Sequence, residues 1–216
     1  MNRLHVPRIR SEGPVRIADI APILASRAAA EPVACLNWPE HPYCPEVSFR
    51  IGHTGAEIWL AFSVTEARVR ALETRVHGEV YKDSCVEFFI SFDRLNYYNF
   101  EFSCIGTPHL AYGPDRHNRT FVPLPLMERI EVLSSLGSQP FAEKAGGFDW
   151  TLTARIPVAC FAFDALTSLD GVPATANFYK VGSGLSVPHY LTWSPVGTPA
   201  PDYHRPEFFG EIVFGQ

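Results

Sequence analysis

Long apolar runs are missing from this 216-residue chain. A membrane-crossing helix, which needs about 18 or more such residues in a row, is therefore not expected. Surplus positive charge is missing too: 18 Lys and Arg stand against 23 Asp and Glu, a formal net charge of −5. A nucleic-acid backbone binder would carry a basic face, and an anionic membrane would call for the same. Neither nucleic acid nor membrane is an expected partner. The basic stretch Met1 to Arg10 leads into no apolar run and no cleavage site, so no secretory signal is read and a cytoplasmic location is expected. The five cysteines, Cys35, Cys44, Cys85, Cys104 and Cys160, are odd in number and lack CxxC spacing. That excludes a zinc cluster and a disulfide framework as first readings and leaves buried thiols. Cys35 and Cys44 flank a proline-rich loop and are the one pair left open. Met127 is the only methionine besides Met1, which leaves a Met/His-ligated haem few options. The chain has no P-loop, no G-x-S-x-G elbow, no dinucleotide fingerprint and no H-E-x-x-H.

What is present is apolar and aromatic: 46% hydrophobic residues and 13% aromatics, enough for a substantial core. The length suits one domain over residues 1–216, with 1–45 an irregular segment packed on it. Ile17 to Ala30 carries a short-helix pattern with Asp19 placed to cap it. From Glu46 the period becomes two. Val47, Phe49 and Ile51 alternate with polar residues, Gly52-His53-Thr54-Gly55 reads as a turn, and Ile58, Leu60, Phe62 and Val64 alternate again. Thr65 to Thr74 fits helix or strand equally. Cys85 to Phe92 and Tyr97 to Cys104 are strong strands joined by Asp93-Arg94-Leu95-Asn96. Further strands are predicted at 109–112, 129–134, 148–156, 174–181, 189–193 and 208–214, with a helix or turn at 158–165. Roughly ten short strands separated by regular turns predict an all-β fold, a single β-sandwich of immunoglobulin-like or jelly-roll-like form with one or two short helices. Trp59 and Trp150 fall inside strand patterns and read as core.

Four segments carry chemistry. They are Tyr81-Lys82-Asp83-Ser84-Cys85-Val86-Glu87 on to Asp93, Tyr97-Tyr98-Asn99-Phe100-Glu101-Phe102 on to Gly106, Asn177-Phe178-Tyr179-Lys180 on to Gly182 with Pro188 to Pro195, and Pro201 through His204-Arg205-Pro206-Glu207-Phe208-Phe209 to Gly210. In this order they resemble the family 9-like carbohydrate-binding modules, part of a wider sandwich superfamily that also contains haem- and sugar-binding domains. The resemblance runs from about Val47 to the C-terminus. It implies non-catalytic carbohydrate binding linked to polysaccharide breakdown or uptake. It further implies two aromatics that sandwich a sugar, charged and amide side chains on its hydroxyls, and calcium as an allowed structural ion. Tyr81 takes the aromatic position before the Asp-Ser strand, where a tryptophan is the family's residue. Glu87 takes the carboxylate position, and Trp193 is the candidate for the second aromatic.

The physics runs the same way. An exposed aromatic ring offers an apolar, electron-rich face to the C–H side of a pyranose, and charged groups bond the hydroxyl rim. The candidate ligand set is Tyr81, Lys82, Asp83, Glu87, Asn99, Glu101, Lys180, His189, Trp193, His204 and Arg205, with a mono- or oligosaccharide as partner. No catalytic or metal-binding residue is assigned. Asp83, Asp93 and Asp115 form no calcium loop. Glu87 and Glu101 fall on one sheet face or on opposite faces depending on a one-residue register. A shared face would demand a nearby cation, with Lys180, Arg155 and Arg205 as candidates. Three alternatives stay open: a glycoside hydrolase using Glu87 and Glu101, a haem-binding relative, and an interaction domain that has lost its sugar site.

Overall fold

The alternation that starts at Glu46 becomes two sheets packed face to face. The computed structural model describes residues 2–216. The chain runs β1 (Arg3–Val6), α1 (Ile17–Arg27), β2 (Glu31–Pro32), β3 (Glu46–His53), β4 (Glu57–Ala71), β5 (Cys85–Ser91), β6 (Tyr97–Ser103), β7 (Pro108–Gly113) and β8 (Thr120–Phe121). It continues as α2 (Leu124–Met127), β9 (Glu131–Ser134), β10 (Phe141–Pro157), β11 (Pro173–Val181), β12 (Tyr190–Thr192) and β13 (Gly210–Phe214). The larger sheet has the order β1-β13-β11-β5-β6-β7-β8, with β12 also on β11; the smaller has the order β2-β3-β4-β10-β9. This is the expected β-sandwich with two short helices. The strands beyond the expected ten are mainly short edge pieces. The segment Thr65 to Thr74 that fitted helix or strand equally is strand as far as Ala71, where β4 pairs with β10 through two bulges.

The core lies between the sheets. Ile58, Leu60, Phe62 and Val64 point into it from β4, and Val86, Phe88 and Ile90 from β5. Phe49 of β3 stacks on Phe178 of β11 with centroids 3.6 Å apart, which joins the two sheets ring to ring. Such a pair is worth about 0.5–1.5 kcal/mol beyond the area it buries. Trp150 is in this core. Trp59 is buried on the outer face of the smaller sheet, under Ile20 and Leu24 of α1. Asp19 does not cap that helix. The cap position is Arg16, and Asp19 sits in the first turn, paired with the Arg16 guanidinium at 2.7 Å.

The N-terminal segment is more ordered than its composition suggested. β1 pairs in parallel with β13, and β2 pairs with β3, so this segment adds an edge strand to each sheet. The five cysteines are all free; Cys35 donates its thiol hydrogen to the Trp193 carbonyl instead of pairing with Cys44.

Both β5 and β6 are buried at every position. A strand buried on both faces needs a second cover. Here loops supply it: Trp38, Val196, Tyr203 and Phe209 pack over Phe89, Tyr97 and Tyr179 on the outer face of the larger sheet. The cover is incomplete, and the gap in it is the candidate site.

Candidate functional site

The β5–β6 turn sets the geometry. Asp93 Oδ1 accepts the backbone N–H groups of Leu95 and Asn96, while Arg94 takes a left-handed φ of 63°. Asp and Asn favour such turns because their side chains bond the backbone close by. The turn places Glu87 directly opposite Glu101, so the two carboxylates share the outer face. The row extends in register across four strands, Tyr179–Glu87–Glu101–His109. Directly opposed residues on one face have Cβ atoms about 4.5–5.5 Å apart.

A cavity of about 390 Å³ opens above this row. Glu87, Glu101 and His109 form its floor, and Tyr81, Tyr190 and His204 are among its walls. Arg116 and Arg119 reach over it from the β7–β8 loop. That loop is shaped by Asp115, whose Oδ1 accepts the backbone N–H groups of His117 and Asn118. Tyr81 stands on a single helical turn, Val80–Lys82, and is 38% exposed. Its hydroxyl donates to Glu79 Oε1 at 2.8 Å, and burial followed by that hydrogen bond pushes its pKa up to about 12. Tyr190 lies half-buried between His41 and Trp38, 4.8 Å and 6.2 Å away centroid to centroid. His204 is held by the Tyr97 hydroxyl at 2.8 Å. Burial, then the nearby Arg119 charge, lowers its pKa to about 2, so its ring is neutral at ordinary pH.

The polar floor is short of partners. Glu101 Oε1 accepts a hydrogen bond from the Asn99 amide at 2.8 Å, but Glu101 Oε2 has no partner. His109 Nδ1 donates to the Gly78 carbonyl at 3.1 Å, and Nε2 is left without a partner. Asn99 Oδ1 and Arg119 Nη1 are likewise buried and unpartnered. Burial, reinforced by the facing Glu101, raises the Glu87 pKa well above the ordinary carboxylate range, while Arg119 and Arg116 pull it back in part. These two arginines are the cations near the pair. The three expected ones lie elsewhere: Lys180 points into the space between the sheets, Arg155 pairs with Glu57 and Glu131, and Arg205 pairs with Glu207.

Of the expected ligand set, Tyr81, Glu87, Glu101 and His204 line the cavity, and Asn99 supports Glu101 from beside it. The others do other work. Trp193 is 3% exposed and packs edge-on against Phe49 and Phe178. It presses so closely on Gly210 that a Cβ there would run into the indole, so it is a core residue and not the second aromatic wall. Lys180 and His189 are buried with Glu66, at 2.9 Å and 3.6 Å from its Oε2. Asp83 is buried beneath Arg70 and accepts the backbone N–H groups of Leu72 and Glu73. Lys82 is exposed and paired with Glu79. Among the described residues, no group of three or more His, Cys, Asp or Glu is arranged to hold a metal ion. Tyr190, His109, Arg116 and Arg119 are the site residues that the sequence reading missed. His109 carried a signal, since counting the β6–β7 register outward from Glu101 leads to it.

The family model for carbohydrate-binding family 9 matches residues 20–214. A crystal structure of a proposed carbohydrate-binding protein from Bacteroides uniformis ATCC 8492 is 38% identical and superposes with a TM-score of 0.95, covering 98% of each chain. A family 9 module from Caldicellulosiruptor kristjanssonii solved with glucose is 13% identical, with a TM-score of 0.62 over 100% of this chain and 97% of that one. A structure of a module from the same organism with cellotriose also has a TM-score of 0.62 and 13% identity, over 99% and 94%. The search of curated proteins found no match. With the model spanning nearly all of the sandwich, the chain belongs to carbohydrate-binding family 9.

Proposed function

We propose that the chain binds a saccharide, without cleaving it, in the cavity above Glu87, Glu101 and His109. One observation carries the reading. Glu101 Oε2, His109 Nε2 and Arg119 Nη1, all buried atoms, stand without partners around a cavity walled by three tyrosines, Tyr81, Tyr190 and Tyr203. An unpaired buried polar group costs about 1–3 kcal/mol, so the molecule is short of hydrogen bonds that a ligand would supply. A sugar hydroxyl suits such a gap because it donates to a carboxylate and accepts from a guanidinium at once. Tyr81 and Tyr190 offer ring faces to the sugar's C–H side. The volume lies within the range of about 300–1,000 Å³ usual for small-molecule sites. The glucose and cellotriose held by the Caldicellulosiruptor modules support the same ligand class. A role in polysaccharide breakdown or uptake belongs to this proposal.

Glu87 and Glu101 suit binding better than hydrolysis. Glycosidase carboxyls flank the scissile bond, whereas these two stand side by side on one sheet face. Calorimetric titration of a panel of neutral mono- and oligosaccharides tests the reading. Heat of binding is expected for at least one of them, and Glu101→Ala should weaken it about 10- to 150-fold, the worth of a charged hydrogen bond of roughly 1.5–3 kcal/mol. Silence across the panel sinks the proposal.

A further inference from the structure

The floor of the cavity is short of positive charge. Glu87 and Glu101 stand directly opposite each other on adjacent strands, and like charges so placed repel. Both side chains are buried, at 2% and 4% exposure, so salt screens the repulsion little. The nearest strand lysine does not relieve it: Lys180 turns to the other face of β11 and meets Glu66. The two arginines above relieve it only in part. Arg116 Nη2 lies 2.7 Å from Asp202 Oδ1 and is matched by that carboxylate. Arg119 is held to the loop by its Nε, which donates to the Arg116 carbonyl at 3.0 Å. The lining thus sets three carboxylates, Glu87, Glu101 and Asp202, against two guanidiniums. Burial, reinforced by Glu101, raises the Glu87 pKa even with both arginines nearby. The unmet hydrogen bonds point the same way. Glu101 Oε2 and Asn99 Oδ1, on one face of β6, are buried acceptors with no donor, and Arg119 Nη1 is a buried donor with no acceptor.

We infer that the preferred ligand is an amino sugar, a hexosamine with a free, protonated amine, whose ammonium group lies between Glu87 and Glu101 and whose ring hydroxyls meet Arg119. The inference rests on the saccharide reading of the cavity and adds the charge of the ligand. A hydroxyl brings one donor hydrogen to the floor, whereas an ammonium brings three together with the missing charge. The phenol rings of Tyr81 and Tyr190 at the walls attract a cation as well as C–H bonds. A bare amine would leave Arg119 Nη1 unmet, which is why the ring and its hydroxyls belong to the ligand. Acetylation of the amine removes its charge and two of its three donor hydrogens, so the free amine is favoured over the acetamido form.

The test is calorimetric, on the full chain, at about pH 6, where an amine is charged. It uses matched sugars: glucosamine against glucose, galactosamine against galactose, and mannosamine against mannose. The amine is expected to bind about tenfold more tightly than its neutral partner, the step from a neutral to a charge-assisted hydrogen bond. Its N-acetyl form should lose that advantage. Glu87→Gln and Glu101→Gln each keep the shape of the floor and remove one charge, and each should bring the amine-to-neutral ratio towards one. Ethanolamine, an amine without a ring, should give no heat. Amino sugars that bind no tighter than the neutral sugars overturn the assignment and leave the sugar site standing, as does a ratio unmoved by both variants. Ethanolamine binding as tightly as glucosamine overturns the saccharide reading, as does silence from amino and neutral sugars alike, and the assignment falls with it.

Discussion

Two buried polar clusters lie on opposite faces of the larger sheet, and they are built to opposite rules. Between the sheets, Lys180 Nζ lies 2.9 Å from Glu66 Oε2 and 2.7 Å from His189 Nε2, and Trp150 Nε1 donates to Glu66 Oε1 at 2.8 Å. Every residue of that cluster has a partner inside the protein, although Glu66 Oε2 accepts no hydrogen bond and is met only by the Lys180 charge. On the outer face, Glu101, His109 and Asn99 are buried and Arg119 half-buried, each with a buried atom left over. Closed networks fix how two sheets dock. Open ones cost stability and persist where a ligand completes them. The contrast separates architecture from binding more reliably than residue type does, since both clusters contain Glu, His and a cation.

The largest expected effect comes from opening the closed cluster. Lys180→Met strands Glu66 without its cation, and losing one partner of a buried ion pair costs about 3–5 kcal/mol. At about 2–4 °C per kcal/mol for a chain of this size, Tm should fall by roughly 6–20 °C in a thermal melt. Glu101→Gln in the open cluster should leave Tm within about 2 °C of the parent. Equal losses in the two variants would erase the distinction.

Acid should act next, and through His189. Burial followed by the Lys180 charge holds this imidazole neutral, with a pKa lowered from 6.5 to about 2. Between those values the unfolded chain binds a proton that the folded chain refuses. Its contribution to stability is therefore present above about pH 6.5 and is lost as pH falls, by up to about 1.4 kcal/mol per pH unit. Chemical denaturation at pH 7, 6 and 5 measures that slope, and His189→Asn should flatten it. Glu87 runs the other way. Its raised pKa means that the folded state holds a proton the unfolded state gives up, so its contribution shrinks as pH climbs past the unfolded carboxyl range near 4.5. Glu87→Gln should accordingly raise Tm at pH 7.5 by about 2–4 °C for each kcal/mol relieved; a lower Tm at that pH would contradict the burial of this carboxyl against Glu101.

Smaller effects belong to the walls. Tyr190→Ala should weaken saccharide binding about 2- to 12-fold, matching a stacking contribution of roughly 0.5–1.5 kcal/mol, with Tm nearly unchanged. Trp193→Phe should do the reverse, lowering Tm while leaving affinity where it was. A loss of affinity on Trp193→Phe with an intact melt would return the indole to the binding site.

The sandwich was legible because strand alternation and turn chemistry are local. The Asp93–Asn96 turn alone defined the hairpin, and Phe88 and Phe100 could be assigned to the core by parity. The same parity could have separated Lys180 from Tyr179: Lys180 shares its face with Phe178, which is core, so it points away from Glu87. Trp193 misled because prolines follow it, and proline-rich sequence reads as exposed loop. Here the loop folds back, and the indole fills the notch over Gly210, a glycine whose missing side chain becomes meaningful only once β13 lies beside Trp193. Arg116 and Arg119 left no trace in the pattern. They sit in a loop whose shape comes from Asp115 and whose direction comes from an ion pair with Asp202, 86 residues away in sequence. Long-range loop placement of that kind has no period to read.

The parallel pairing of β1 with β13 has a mechanical side. Arg3 faces Glu211 and Val6 faces Phe214, so the first and last strands run alongside each other in the same direction. A pull applied to the two ends of the described chain drags these strands in opposite senses along their shared ladder. The backbone bonds between them, from Glu211 N to Asn2 O through Gly215 N to Val6 O, then carry the load together in shear instead of opening one at a time.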